Sequence, residues 1–327
     1  MKQFTANELL DSFSQYISQL TYAKEPYALY APIDYVLPTG GKRVRPILML
    51  LAYNLYKEDI TTIFSQATAL ETYHNFTLLH DDLMDGADMR RGIPTVHKKW
   101  NANTAILSGD AMLILANQLM LIDCPTDKLA AVLKEFMQAE MEVCEGQQWD
   151  VDFEERTDVS IEEYIEMIRL KTSVLLGVAL KIGAILGGAS VEDAQHLYDF
   201  GIKMGLSFQL QDDYLDVYGD PKTFGKMIGG DILNNKKTFM LITALERAEG
   251  EDAIALKKWI SSKDFQPEEK IKAVTEIYNR LDIPALCQEK MNALYEEGLA
   301  LLNKVSVTPS RKTELRTYVE RLMKRNK

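Results

Sequence analysis

Apolar positions recur along almost the whole chain at the spacing of three and four that a helix shows when it buries one face. No stretch alternates with the period of two that marks a half-buried strand. The periodic runs break at Pro38-Thr39-Gly40-Gly41, at 86–94, at Cys124-Pro125, at 150–158, at Gly187-Gly188, at 219–230 and near Pro267 and Pro284. Between breaks the segments run roughly 15–30 residues, long for globular helices. Ser160 followed by Glu163 reads as a capping box, each residue satisfying an orphan donor of the helix start, and opens a long predicted helix from 161 to about 186. No low-complexity linker and no shift in composition divides the chain. The pattern predicts an all-α fold, a single large helical bundle with residues 1–327 as one domain.

Composition narrows the function classes. With 327 residues, 46% of them apolar, the chain can bury a large core. A net charge of −11 argues against nucleic acid or an anionic membrane as a partner. Cys124, Cys144 and Cys287 have neither paired nor metal-ligand spacing and read as reduced thiols of a cytoplasmic protein. The start of the chain lacks the basic segment and apolar run of a signal peptide. The most apolar stretches, 111–122 and 173–189, are too short or interrupted by Lys181, so no membrane span is expected.

The first departure from bland helical patterning is acidic. Asp81-Asp82-Leu83-Met84-Asp85 and Asp212-Asp213-Tyr214-Leu215-Asp216 each close an apolar helical run. Residues four apart on a helix lie about 40° apart in azimuth and about 6 Å along the axis. Asp81 and Asp85 therefore share a face with Leu70, His74 and Thr77; Asp212 and Asp216 share one with Gly205 and Phe208, with Gln209 on its flank. The bland reading is a solvated acidic helix end. Against it, a helix C-terminus disfavours acids through its dipole, and the arrangement occurs twice. Opposed faces of this kind would form an all-oxygen site for hard divalent cations, and Mg²⁺ suits it by keeping waters and sharing phosphate oxygens with a substrate.

Cations follow the acids. Lys42 and Arg45 lie after two glycines and before an apolar helix beginning near Pro46; Arg90-Arg91-Gly92 trails the first acidic motif closely. Such a basic pair is often a surface salt-bridge patch of little worth, but forked guanidinium groups also suit phosphate oxygens. Lys171 and Thr172 sit among apolar neighbours in the capped helix, where a lysine could equally snorkel to water. Lys226 and Lys236 follow the second acidic motif; singly they are surface lysines, beside metal clusters they read as diphosphate clamps. The four histidines, His74, His80, His97 and His196, have no zinc spacing, no nucleophile and base pair stands out, and there is no P-loop. The inventory points to phosphate chemistry by metal-assisted departure without a covalent enzyme intermediate.

The ordered set Gly41-Lys42-Arg43-Val44-Arg45-Pro46, His80-Asp81-Asp82-Leu83-Met84-Asp85 with Arg90-Arg91-Gly92, Gly146-Gln147-Gln148-Trp149-Asp150, Lys171-Thr172, Phe208-Gln209-Leu210-Gln211-Asp212-Asp213-Tyr214-Leu215-Asp216, Gly225-Lys226 and Asn235-Lys236 resembles the trans-isoprenyl diphosphate synthases. The resemblance implies a bundle of the isoprenoid synthase type around a deep central cavity, a homodimer, and head-to-tail joining of isopentenyl diphosphate to an allylic diphosphate. It implies Mg²⁺, three ions with substrate bound, ligated by Asp81, Asp85 and Asp212, with Asp82, Asp213 and Asp216 in contact or close behind. Arg90, Lys171, Thr172, Gln209, Lys226 and Lys236 would hold the allylic diphosphate; Lys42, Arg45, His74 and Arg91 would hold isopentenyl diphosphate.

Chain length would be set on the helix below Asp81. A turn rises about 5.4 Å, comparable with one extended isoprene unit. Thr77 leaves the first turn open, Phe76 flanks it, and Tyr73 lies where a floor would stand. Phe76 alone, without a second adjacent aromatic or an insertion in the 81–85 motif, resembles a geranylgeranyl (C20) maker, with farnesyl (C15) next; simple core aromatics would permit longer products. A terpene cyclase would need no second diphosphate site, a non-catalytic regulatory subunit would be expected to lack acids from one motif, and an acidic Ca²⁺-binding scaffold would leave the cations without purpose. The basic end of the chain, with Arg316, Arg321, Lys324 and Arg325, reads as a solvated helix end or a flap over the isopentenyl site.

Overall fold

A computed structural model describes residues 2–220 and 228–324. Its helices are α1 (Ala6–Ile17), α2 (Tyr27–Val36), α3 (Val44–Asn54), α4 (Phe64–Met84), α5 (Val96–Lys99), α6 (Ala102–Leu121), α7 (Thr126–Glu155), α8 (Ile161–Ile168), α9 (Val174–Gly187), α10 (Val191–Tyr218), α11 (Gly230–Leu233), α12 (Phe239–Arg247), α13 (Gly250–Ser261), α14 (Pro267–Arg280), α15 (Ile283–Lys304) and α16 (Pro309–Met323). The only strands among the described residues, β1 (Met89–Arg90) and β2 (Ile93–Pro94), form an antiparallel hairpin, too short to leave a period-two signal. The all-α class predicted by the periodicity is the class observed. Lys226 and Arg325 lie outside the described residues.

The chain clusters into two compact units. The first takes in Met1–Phe136, Val178–Tyr198 and Val305–Leu315; the second takes in Met137–Gly177, Asp199–Lys304 and Arg316–Lys327. In the first unit α4 is the central helix: positions 66 to 73 are buried all round, so it has no polar face to offer water. Two of its buried polar side chains donate to backbone carbonyls. Gln66 Nε2 donates to Ile122 O at 2.6 Å and Thr68 Oγ1 to Phe64 O at 2.8 Å. Helices α3 and α6 pack against α4, and α2 covers α6. Gly183 lets the second half of α9 lie against α3, since a Cβ there would collide with the Met49 carbonyl.

The second unit is built around the close approach of α7, α8, α9 and α10. The capping box at Ser160 and Glu163 is formed as predicted, with both hydrogen bonds present. The single helix expected from 161 to about 186 is not continuous α-helix: Arg169–Ser173 is a π turn joining α8 to α9. Such bulges arise where one extra residue is inserted in the ladder and frequently mark functional sites. Three glycines make room around this region. A Cβ on Gly146 would strike the Lys171 backbone nitrogen, one on Gly205 would stand 2.6 Å from Ser173 Cα, and one on Gly201 would stand 2.7 Å from Gly177 Cα.

Length and composition alone do qualify two helical stretches as membrane-crossing, Ala102–Leu121 and Ile161–Gly187, contrary to the expectation that both were too short or too interrupted. In each case helix extends well N-terminal of the apolar run, which is why the sequence estimate fell short. In Ile161–Gly187 78% of the apolar window is buried in the protein, as for a core helix; in Ala102–Leu121 the figure is 44%.

Candidate active site

In the first unit, the end of α4 carries the first acidic motif. Successive helical residues differ by about 100°, so adjacent carboxylates cannot face the same way. Asp82 is buried and accepts from Arg90 Nε at 2.7 Å, while Asp81 is half-buried and Asp85, the C-cap, is exposed. Burial pushes the Asp82 carboxyl up, opposed by Arg90. Arg90 reaches it from β1. The hairpin turns on Arg91-Gly92, both left-handed at φ 50° and 78°, as a two-residue hairpin turn of the primed kind requires. Arg91 then donates Nη1 to Gly40 O at 2.5 Å, and its guanidinium lies where a Cβ on Gly41 would stand, 3.0 Å from Cζ. Glycine at 41 is therefore a steric need as well as a conformational one.

The loop that receives Arg91 leads to α3, which carries Arg45 in its first turn, with Lys42 exposed just before. Arg45 Nε is buried with no hydrogen-bond partner among the described residues. Burial pushes the Arg45 guanidinium down to about 10, with Glu71 opposing and Arg91 adding to it. His74, half-buried on α4, is held well below the usual imidazole range by burial and then by Arg45, Arg91, Arg90 and Arg43. A neutral imidazole ringed by guanidinium groups, one with an unpaired buried N–H, is a site whose chemistry calls for a multiply charged anion.

One and two turns below Asp81, the predicted ruler residues pack as a cluster. Tyr73 is fully buried and Phe76 nearly so, their rings 5.4 Å apart. Thr77 is half-buried and donates Oγ1 to His74 O at 2.9 Å. The sequence missed Phe136 of α7, whose ring stands 5.7 Å from Tyr73, because nothing local ties it to α4. It also missed His80, which packs on Phe76 at 4.9 Å and over Gly109.

The second unit gathers its own set. A cavity of about 280 Å³ is lined by Asp150, Lys171, Thr172, Gln209, Asp213 and Lys236, with Tyr164 at its wall. Lys171 Nζ pairs with Asp150 at 2.7 Å; Thr172 Oγ1 donates to Gln209 Oε1 at 3.2 Å; Gln209 Nε2 donates to Asp213 Oδ1 at 3.0 Å. Tyr164 donates its hydroxyl to Asp213 Oδ2 at 2.5 Å. Burial pushes Asp213 up to about 6, against the pull of Lys236. Asp212 and Asp216 are half-buried, and Asp216 Oδ2 accepts from the Asp231 amide at 2.9 Å. The pattern of the first motif thus repeats: the middle carboxylate is buried and held by protein donors. Tyr164 and Asp150 were not singled out as site residues in the sequence, though Asp150 ends the Gly146-Asp150 run.

Among the described residues no three His, Cys, Asp or Glu side chains form a ready-made metal centre. The donor chemistry nevertheless fits Mg²⁺, which dehydrates reluctantly and is held through one or two carboxylates plus waters and substrate phosphates. Paired acids one turn apart at the end of a helix supply that number.

The sequence model of polyprenyl synthetase matches residues 26–278. A short chain isoprenyl diphosphate synthase of Methanothermobacter thermautotrophicus is 37% identical over 85% of this chain and 89% of its own. A geranylgeranyl diphosphate synthase of Methanosarcina mazei is 36% identical over 84% of this chain and 89% of its own. Among solved structures, a geranylgeranyl pyrophosphate synthase superposes with a TM-score of 0.94 at 43% identity, covering 99% of this chain and 100% of that one. The geranylgeranyl pyrophosphate synthetase of Pyrococcus horikoshii superposes at 0.90 with 32% identity, over 98% and 97% of the two chains. With the family model spanning most of its length and its acidic and basic motifs in order, the chain belongs to the polyprenyl synthetase family, as a prenyl-transferring enzyme.

Proposed function

We propose that this enzyme condenses isopentenyl diphosphate with an allylic diphosphate (dimethylallyl, geranyl or farnesyl) and releases an all-trans product of C20, geranylgeranyl diphosphate. The observation that carries the reading is the buried, orphan Nε of Arg45, together with the guanidinium groups that hold His74 neutral: they support a second anion site, as elongation needs and cyclisation does not. Lys42, Arg45, His74 and Arg91 hold the isopentenyl diphosphate. Arg90, Lys171, Thr172, Gln209, Lys226 and Lys236 hold the allylic one.

Asp81 and Asp85 of the first motif and Asp212 of the second are the residues that would hold Mg²⁺, with Asp216 one turn after Asp212. Bound there, the metal supplies charge that offsets diphosphate as it departs. Arg90, Lys171 and Lys236 add fixed positive charge as the allylic C–O bond breaks, with the electron pair leaving on diphosphate oxygen. The alkene of isopentenyl diphosphate attacks the resulting allylic cation, forming the new C–C bond. The proton lost in restoring the double bond goes to the departed diphosphate, so no protein base is required. Tyr73, Phe76 and Phe136 keep water from the growing tail.

Product length follows from the same cluster. Tyr73 as floor, with Phe76 the single aromatic one turn below the acids and Thr77 open beside it, favours C20; the same aromatic cluster makes C15 the second reading. Supplying both substrates with Mg²⁺ and reading products by mass spectrometry tests this. C20 is expected, and Tyr73→Ala or Phe76→Ala lengthens it; an unchanged length in both variants refutes the ruler. Asp81→Ala and Asp212→Ala are expected to cut turnover by several orders of magnitude in folded protein, and full activity in either ends the proposal. The same reading takes residues 1–327 as one catalytic domain acting in the cytoplasm, with free cysteines and a homodimeric assembly.

A further inference from the structure

Arg43 lies between Lys42 and Arg45 in sequence, yet its side chain takes another course. It is 6% exposed, donates Nη1 to Glu71 Oε1 at 2.5 Å and donates Nη2 to the Leu37 carbonyl. Glu71 is 2% exposed on α4, one turn before His74. Asn75 grips it from the next turn, donating Nδ2 to Glu71 O at 2.7 Å and to Glu71 Oε1 at 3.1 Å. The backbone around Arg43 is strained: Gly40, Gly41 and Arg43 are left-handed at φ 70°, 138° and 45°, a conformation costly for arginine. Arg43 is also the N-cap of α3, so its backbone angles set the direction in which that helix leaves the loop.

Glu71 has a second effect. It favours the charged forms of both Arg45 and Arg91, with Asp82 adding a smaller pull on Arg91. A cluster of guanidinium groups out of water is unfavourable without a counter-charge, and a buried acid without a partner is worse. A bare carboxylate beside His74 would also repel diphosphate. Its pairing with Arg43 resolves both problems.

We propose that the Arg43–Glu71 pair, gripped by Asn75, is the positioning device of the isopentenyl diphosphate site: it pins the strained loop and fixes where Lys42 and Arg45 meet the anion. The inference rests on the reading that Lys42 and Arg45 hold that substrate. Neither Arg43 nor Glu71 touches the substrate; they act through their neighbours.

The test is steady-state kinetics with each substrate varied in turn, on Arg43→Gln, Glu71→Gln, the double variant and the conservative Arg43→Lys, with folding followed by circular dichroism. Arg43→Gln and Glu71→Gln are expected to raise KM for isopentenyl diphosphate about tenfold or more, roughly 1.4 kcal/mol. KM for the allylic diphosphate stays within about twofold. Arg43→Lys, which keeps one of the two contacts, falls between wild type and Arg43→Gln. The double variant is no worse than the poorer single one, because removing both charges leaves none orphaned. A fall in thermal stability with both KM values unchanged, or an equal rise in both, overturns the proposal. Should the glutamine variants fail to fold, Arg43→Lys and Asn75→Ala decide on the same split. Lys42→Ala and Arg45→Ala separate the two readings: an unchanged KM for isopentenyl diphosphate in these sinks the site assignment itself, whereas a raised KM there with none in the Arg43 and Glu71 variants sinks the positioning role alone.

Discussion

Asp82 and Asp213 occupy equivalent places in the two acidic motifs and meet the same fate, burial with protein donors in place of water. The price is that each depends on a partner distant in sequence. Tyr164→Phe removes one donor from the fully buried Asp213, and a hydrogen bond to a charged group is worth about 1.5–3 kcal/mol. Turnover is expected to fall about tenfold or more with helicity intact, read by steady-state kinetics beside circular dichroism; wild-type rates in Tyr164→Phe would show that the bond does not organise the motif. A second consequence of burial concerns Cys287, which contacts Leu210 O and whose thiol is pushed up to about 12 by desolvation, with Asp213 adding to it. Between pH 9 and 12 the unfolded chain has lost this proton and the native one keeps it. Unfolding therefore releases a proton, and stability falls as pH rises through that window. Cys287→Ala is expected to flatten the slope of unfolding free energy against pH there by one proton, measured by denaturant titration; an unchanged slope removes Cys287 as its source.

At the level of elements, the capping box at Ser160 was legible because it is written within four residues, and the two acidic motifs because the helical repeat puts their end carboxylates on one face. The Arg91-Gly92 hairpin and the π turn at Arg169–Ser173 were not. Two-residue strands carry no periodicity, and nothing in the residues Arg169–Ser173 marks a π turn, which points to its neighbours as the origin. Its neighbour is Gly146 of α7, against which the Lys171 amide lies. The same division holds inside the site: Arg90 and Lys171 could be picked out by type and place, whereas their partners Asp82 and Asp150 are chosen by packing. Gly146→Ala tests this origin. Its methyl would collide with the Lys171 nitrogen and stand 2.8 Å from Leu170 Cβ, so the π turn must shift. The expected result is a rise in KM for the allylic diphosphate of about tenfold with a loss of roughly 1–3 kcal/mol in stability, as for overpacking elsewhere. Unaltered kinetics and melting temperature would mean that α7 does not hold the turn.

The molecule as a whole leaves an apolar seam unexplained by its own core. On α6, Leu107, Ile114 and Leu121 are 58%, 61% and 48% exposed, each about two turns from the next, with Ile106 at 43% beside them. A helix so apolar that it qualifies by composition to cross a membrane, yet with under half its apolar window buried, has a face that water disfavours. Spacing by two turns is the seam of helix pairing, and a two-fold assembly would set such a face against its own copy. A homodimer would account for the seam without any membrane. Ile114→Glu puts a charge at its centre, where an isologous contact would bring two like charges together. The wild-type chain is expected to sediment at twice its 37.1 kDa, and the Ile114→Glu chain to shift toward 37.1 kDa at micromolar concentration while keeping its helical signal. Glu on the exposed Val191 of α10, 90% open, serves as the control and should leave the assembly as it is. A wild-type chain that sediments at 37.1 kDa, or an Ile114→Glu variant that stays paired, would remove α6 as the dimer seam.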